Sequence, residues 1–302
     1  MTTAPHKPTP HKPTLDQPTL PHQAAQASTH LRFRAVGNGP AVLWIHGYTM
    51  DSSVWDELWA RLPGWRHIGV DLPGHGQSPP LLPGLTLAGL ADQVAQVCAA
   101  TGARRVVGLS LGSCVALQLA AGHPDLVDRL IVGAPTIAGA PSEPGTAERH
   151  RELRALRRMA PAISKRIPAG ELLADLWMQS PPDIFRGSEA HPELRQRLRE
   201  AIVRHRWEEL ASGALGSVAE AVHTDDDLRR ITAATLVFCG DEDMPTFIAN
   251  AGRLGRVLPD CQVAPVRAAG HLCLLERPDQ VTPALAAHLS GAPRLPGGPS
   301  NS

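Results

Sequence analysis

A serine, a histidine and a carboxylate at three separated places in the chain have the residue types that acyl transfer needs. Ser110 lies in Gly108-Leu109-Ser110-Leu111-Gly112, directly after the apolar run RRVVGLS and just before the apolar stretch VALQLAA. A serine hydroxyl is a poor nucleophile until a base takes its proton, and that base needs a carboxylate to hold its tautomer and stabilise its charged form. His271 in AAGHLCLLERPDQ and Asp243 in GDEDMP can supply both. Gly108 and Gly112, two residues before and after Ser110, suit a sharp strand-to-helix turn that lifts the hydroxyl clear of the backbone. A helix opening just behind Ser110 would also bring unpaired N–H groups and a positive dipole end to the place where an oxyanion forms.

Positioning these groups requires a sheet edge, and the chain's patterning supplies one. Short Val-, Ile- and Leu-rich runs at 41–46, 66–71, 104–110, 128–133, 234–240 and 261–266 read as buried parallel strands. The stretches 51–62, 86–101, 111–122, 246–258 and 278–290 have helical spacing. Repeated βα units of this kind imply an α/β chain with a doubly wound, mostly parallel sheet. Asp243 then ends one strand and His271 follows another, at the carboxyl edge where open α/β sheets carry their sites. The alternation breaks once: between Gly133 and Ala233 the chain is mostly helical, without a convincing strand. The expected division is a core of 29–135 and 228–290, a helical cap of 136–227, and Pro-rich or Gly-rich tails at 1–28 and 291–302.

Composition excludes several classes. With 43% apolar residues the chain is not wholly disordered, and 29 basic against 29 acidic residues leave no global field for nucleic acid or an anionic membrane. No run is long and apolar enough to span a bilayer and the N-terminus lacks a secretory apolar core, so the cytoplasm is the expected location. Five scattered cysteines without a Cys-x-x-Cys pair argue against disulfides or a zinc site. Cys273, two residues past His271, has no elbow around it and reads as a buried thiol.

Four motifs then carry a family resemblance: His46-Gly47 after an apolar run, DLPGHGQS from Asp71 to Ser78, GLSLGS around Ser110, and GDEDMP with GHLCLLERP. In that order, with nucleophile, acid and histidine at 110, 243 and 271, they resemble the serine-type α/β-hydrolase superfamily over about residues 31–290. The resemblance is to its small esterase, lactonase and C–C hydrolase members. It implies the α/β-hydrolase fold with a helical cap, and it selects Asp243 over Asp241 and Glu242, which would shape the turn. It also implies an oxyanion hole from the backbone N–H groups of Tyr48 and Leu111, with His46 and His75 as loop residues.

The implied activity is hydrolysis of a small to medium ester, thioester or lactone through an acyl-enzyme on Ser110, with no cofactor and no metal. A C–C bond hydrolase, a cofactor-free perhydrolase, or a non-hydrolytic binding or lyase-type member would keep the same triad. Relatives with Asp at the Ser110 position, the dehalogenases and epoxide hydrolases, are disfavoured. Ser113 departs from the usual small residue at that point of the helix. Trp177, Met178, Phe185 and Trp207 could line an apolar acyl pocket, or could be core at helical spacing. From Glu148 to Ile167 seven basic residues stand against two acids. They form either a solvated face or a recognition surface for a carboxylate, coenzyme A or a carrier-protein partner.

Overall fold

A computed structural model describes residues 31–163 and 168–291, with side chains left out at 160–163. The tails at 1–28 and 292–302, and Lys165 and Arg166 of the basic stretch, lie outside the described residues. Seven strands form one sheet: β1 (Phe33–Val36), β2 (Ala41–Ile45), β3 (Arg66–Val70), β4 (Arg105–Leu109), β5 (Arg129–Gly133), β6 (Ala234–Gly240) and β7 (Cys261–Val266). Their spatial order is β1-β3-β2-β4-β5-β6-β7, with only β1 antiparallel. Strand β2 pairs with β3 on one side and β4 on the other, so the chain reverses its winding direction there. That switch point places the ends of β2 and β4 side by side at the carboxyl edge.

The described residues also form twelve α-helices: α1 (Asp56–Ala60), α2 (Leu87–Thr101), α3 (Leu111–Gly122), α4 (Thr146–Ile163), α5 (Ala169–Trp177), α6 (Pro192–Arg204), α7 (Glu208–Ser212), α8 (Leu215–Ala219), α9 (Asp225–Arg229), α10 (Pro245–Val257), α11 (Cys273–Glu276) and α12 (Pro278–Ser290). Strands β2 to β5 are buried at every position but the first, because helices cover both faces. Their side chains alternate between two cores. Leu43, Ile45, Val106 and Val132 pack with α2, α3 and α10 on one face. Val42, Trp44, Val107 and Ile131 pack with α1 and α12 on the other. Between β5 and β6 the described residues hold α4 to α9 and no strand. No helix among them is long and apolar enough to cross a membrane.

Two local differences from the sequence reading have physical causes. Strand β1 gives almost no pattern, because this four-residue edge strand is largely exposed and carries Arg34. The stretch 51–62 begins as a 3₁₀ turn at Ser52–Trp55, capped by the Asp51 side chain on Ser53 N–H and by Asp71 on Ser52 N–H, before α1 continues it.

Candidate active site

Ser110 occupies the turn between β4 and α3 with φ 54° and ψ −118°, a conformation that an L-residue rarely adopts. The flanking glycines make that turn possible. A Cβ on Gly108 would run into the carbonyl of Gly112, and one on Gly112 into the carbonyls of Ile45 and His46. The turn is pinned by Ser110 N–H to the Gly133 carbonyl (3.0 Å). Ser113 adds a tie that the sequence reading did not assign: its hydroxyl donates to the Ser110 carbonyl (2.7 Å) and accepts from Thr136 N–H (2.8 Å). It thereby joins the elbow to the exit of β5.

His271 and Asp243 reach Ser110 from the ends of β7 and β6. The two loops lie so close that a Cβ on Gly240 would meet the carbonyls of Ala269 and Gly270. His271 Nε2 is 2.9 Å from Ser110 Oγ, and His271 Nδ1 is 3.0 and 3.4 Å from the two Asp243 oxygens. Asp243 also accepts the Met244 N–H at 2.7 Å. Asp241 and Glu242 are exposed, and only their backbone N–H groups bond the neighbouring loop. The Phe247 ring packs edge-on against His271 with centroids 4.2 Å apart. Glu276 is a site residue that the sequence reading quoted but did not assign. Its buried carboxylate accepts the N–H groups on both sides of His271, from Gly270 at 2.6 Å and Leu272 at 3.0 Å. Burial raises its pKa, with those two N–H groups acting in the opposite direction.

The thiols nearby are disfavoured as thiolates. Burial, and then the Asp243 charge, push the Cys239 thiol up to about 12 and the Cys273 thiol well above its ordinary value. Among the described residues no group of three or more His, Cys, Asp or Glu side chains has the geometry to hold a metal ion.

The loop after β2 lies against the elbow, with a Cβ built on Gly47 falling 3.4 Å from Ser110 Cβ. Two neutral histidines fix this loop. Leu72 N–H donates to His46 Nε2 (3.1 Å), so Nδ1 carries the proton and donates to the Gly47 carbonyl (2.8 Å). Thr49 N–H donates to His75 Nε2 (3.1 Å), and His75 Nδ1 donates to the Pro73 carbonyl (2.9 Å). Burial lowers the pKa of both rings, which keeps these tautomers. The backbone N–H groups of Tyr48 and Leu111 have no hydrogen-bond acceptor among the described residues.

A family model described as the alpha/beta hydrolase family matches residues 42–284, more than half of the chain and every element of this constellation. The chain belongs to the alpha/beta hydrolase family. An esterase of Mycobacterium tuberculosis is 33% identical over 171 residues, which are 53% of this chain and 53% of that protein. The chain thus matches about half the length of that relative. A thermophilic esterase from Thermogutta terrifontis superposes with a TM-score of 0.69 at 28% identity, covering 86% of this chain and 93% of that one. The enol-lactonase from Burkholderia xenovorans LB400 gives 0.70 at 22% identity, covering 86% and 96%, and shares the fold.

In this alpha/beta hydrolase a cavity of about 190 Å³ opens beside Ser110 and His271. Ile137, Glu143, Ile184, Met244, Phe247 and Asn250 are among its walls. Trp177, Met178, Phe185 and Trp207 are not: each is at most 5% exposed and packs in the core shared with α12. Their apolar spacing serves to seat the helical segment on the sheet. The basic residues of α4 also stay out of the described lining. Arg149 is buried against the carbonyls of Ser180 and Pro181, and no Lys or Arg is among the described residues of the wall.

Proposed function

We propose that the chain hydrolyses a small, uncharged ester, thioester or lactone through an acyl-enzyme on Ser110. The observation that carries the reading is the continuous hydrogen-bonded line Asp243–His271–Ser110, at 3.0 and 2.9 Å, ending on a serine in a strained turn. In the first step His271 Nε2 takes the Ser110 proton while Oγ bonds to the carbonyl carbon, and Asp243 stabilises the imidazolium. The carbonyl oxygen becomes an oxyanion facing the Tyr48 and Leu111 N–H groups. His271 then protonates the departing alcohol, thiol or ring oxygen as the acyl bond breaks. Water then enters, its oxygen bonding to the acyl carbon as His271 takes its proton, and His271 returns that proton to Ser110 Oγ as the Oγ–acyl bond breaks and the acid leaves.

Substrate preference is assigned to the segment between β5 and β6, the cap expected over residues 136–227. Its residues Ile137, Glu143, Pro182 and Ile184 furnish one side of the cavity and α10 the other. An apolar wall with a carboxylate and no described cation favours an uncharged acyl group. A panel of neutral short-chain esters, thioesters and lactones tests the reading. Turnover of at least one class by the native chain, lost in Ser110→Ala, is expected. Turnover that survives Ser110→Ala would refute it.

A further inference from the structure

The loop that supplies Tyr48 N–H is held from below by His46 and His75, and from above by two side chains of the segment between β5 and β6. Trp177 Nε1, at the end of α5, donates to Thr49 Oγ1 (2.8 Å), and that hydroxyl in turn donates to the Tyr48 carbonyl (2.6 Å). Glu209 Oε1, in α7, accepts the Tyr48 phenol (2.7 Å) and lies 3.0 Å from His205 Nε2. The Tyr48 ring also meets Trp177, His205 and Trp207 edge-on, with centroids 5.6 to 6.4 Å apart. Both polar handles of Tyr48 outside its N–H, the phenol and the carbonyl, therefore trace to these helices. The phenol, which could have been a donor to substrate, is already engaged.

The segment that presents Glu209 is unfavourable as a packing element. Trp207 has φ 58°. His205 Nδ1, Trp207 Nε1 and Glu209 Oε2 are buried and have no hydrogen-bond partner among the described residues. Orphaned buried polar atoms and left-handed bulky residues persist where something else is gained. Burial pushes the Glu209 carboxyl up, but the bonds from His205 and Tyr48 outweigh it and leave its pKa below the ordinary value. Burial and then Glu209 raise the Tyr48 phenol well above its ordinary value. The phenol is thus a donor and the carboxylate an acceptor at neutral pH.

Resting on the hydrolase reading above, we propose that Glu209 is a positioning residue: through the Tyr48 phenol it clamps the oxyanion loop to the helical segment and fixes where Tyr48 N–H points. The segment then completes the oxyanion hole as well as shaping the cavity, with Trp177 as the second point of the clamp. Displacing one oxyanion donor without removing it should affect the transition state more than the bound substrate.

The test uses Tyr48→Phe, Glu209→Leu, Glu209→Gln and the double variant Tyr48→Phe/Glu209→Leu, with kcat and KM on one neutral ester. Affinity for a trifluoromethyl ketone, whose adduct carries the oxyanion, is measured beside them. Tyr48→Phe and Glu209→Leu should each lower kcat by about 10- to 100-fold with KM within about two-fold. Ketone affinity should fall in parallel, the double variant should be no worse than the poorer single one, and Glu209→Gln, which keeps an acceptor, should recover much of kcat. Unchanged kcat in Tyr48→Phe overturns the proposal, as does a rise in KM alone or a loss that follows melting temperature. Tyr48→Phe removes one hydroxyl and keeps the test decisive if Glu209→Leu does not fold. Activity that persists in Ser110→Ala would reject the hydrolase reading instead, independently of these variants.

Discussion

Asp243 and Asp241 stand two residues apart in one turn, yet only Asp243 faces His271 and is buried. Asp243→Asn should therefore lower kcat by about 10³- to 10⁴-fold, by presenting the wrong partner to His271 Nδ1, while Asp241→Asn stays within a few-fold. The reverse ranking in steady-state kinetics would mean that the acid is misassigned. Glu276 makes a second test at this scale. Glu276→Ala leaves the Gly270 and Leu272 N–H groups buried without their acceptor, so a loss of about 2 kcal/mol or more in denaturant unfolding is expected. Ser110, Asp243 and His271 were legible in the sequence because each sits in a short motif with a local signature. Glu209 and Trp177 were not legible as clamp residues, since their partners lie 161 and 128 positions away and only folding brings them together.

The elbow works as an element because three pieces of backbone nearly touch. Gly112→Ala would drive a methyl group into the Ile45 and His46 carbonyls at the end of β2, and neither can move without disturbing β2 pairing. A loss of several kcal/mol or failure to accumulate folded protein is expected, against a loss of less than about 1 kcal/mol for Gly216→Ala, where a Cβ meets nothing. None of Arg154, Arg157 and Arg158 of helix α4 is among the described residues of the cavity wall. Replacing all three by Gln should leave KM for neutral esters unchanged, and a rise confined to acyl-CoA or carboxylate substrates that shrinks with salt would instead assign the helix to anion recognition. The helices that shape the cavity were legible by period, but which of their apolar residues face it was not. A stripe that seats a helix and a stripe that lines a pocket have the same spacing.

Across the whole molecule the alternation of apolar runs and amphipathic stretches specified six of the seven strands: β2 to β6 are buried on both faces and leave a clear run, and β7, a half-buried edge strand, still carries an apolar sequence. The edge strand β1, exposed and short, left none. Buried histidines give the molecule a global pH response. His223 joins Gln118 and the Ala138 N–H, and burial lowers its pKa from 6.5 to about 4. The unfolded chain binds this proton first, so the contribution is complete above about pH 6.5 and is lost as pH falls toward 4. His46 and His75 are shifted in the same direction. From His223 alone about 2 kcal/mol should be lost between pH 7.5 and pH 5, and melting curves of His223→Gln should fall less steeply over that range than those of the native chain. Equal slopes would assign the acid sensitivity elsewhere. The central claim, that Ser110 is acylated in turnover, is tested most directly by quenching the protein during hydrolysis of a slow ester and mapping its peptides by mass spectrometry. One acyl group on the peptide containing Ser110, absent from Ser110→Ala, is the expected result. An acyl group on another residue, or continuing turnover with no adduct in either protein under conditions where deacylation is slow, would contradict the account.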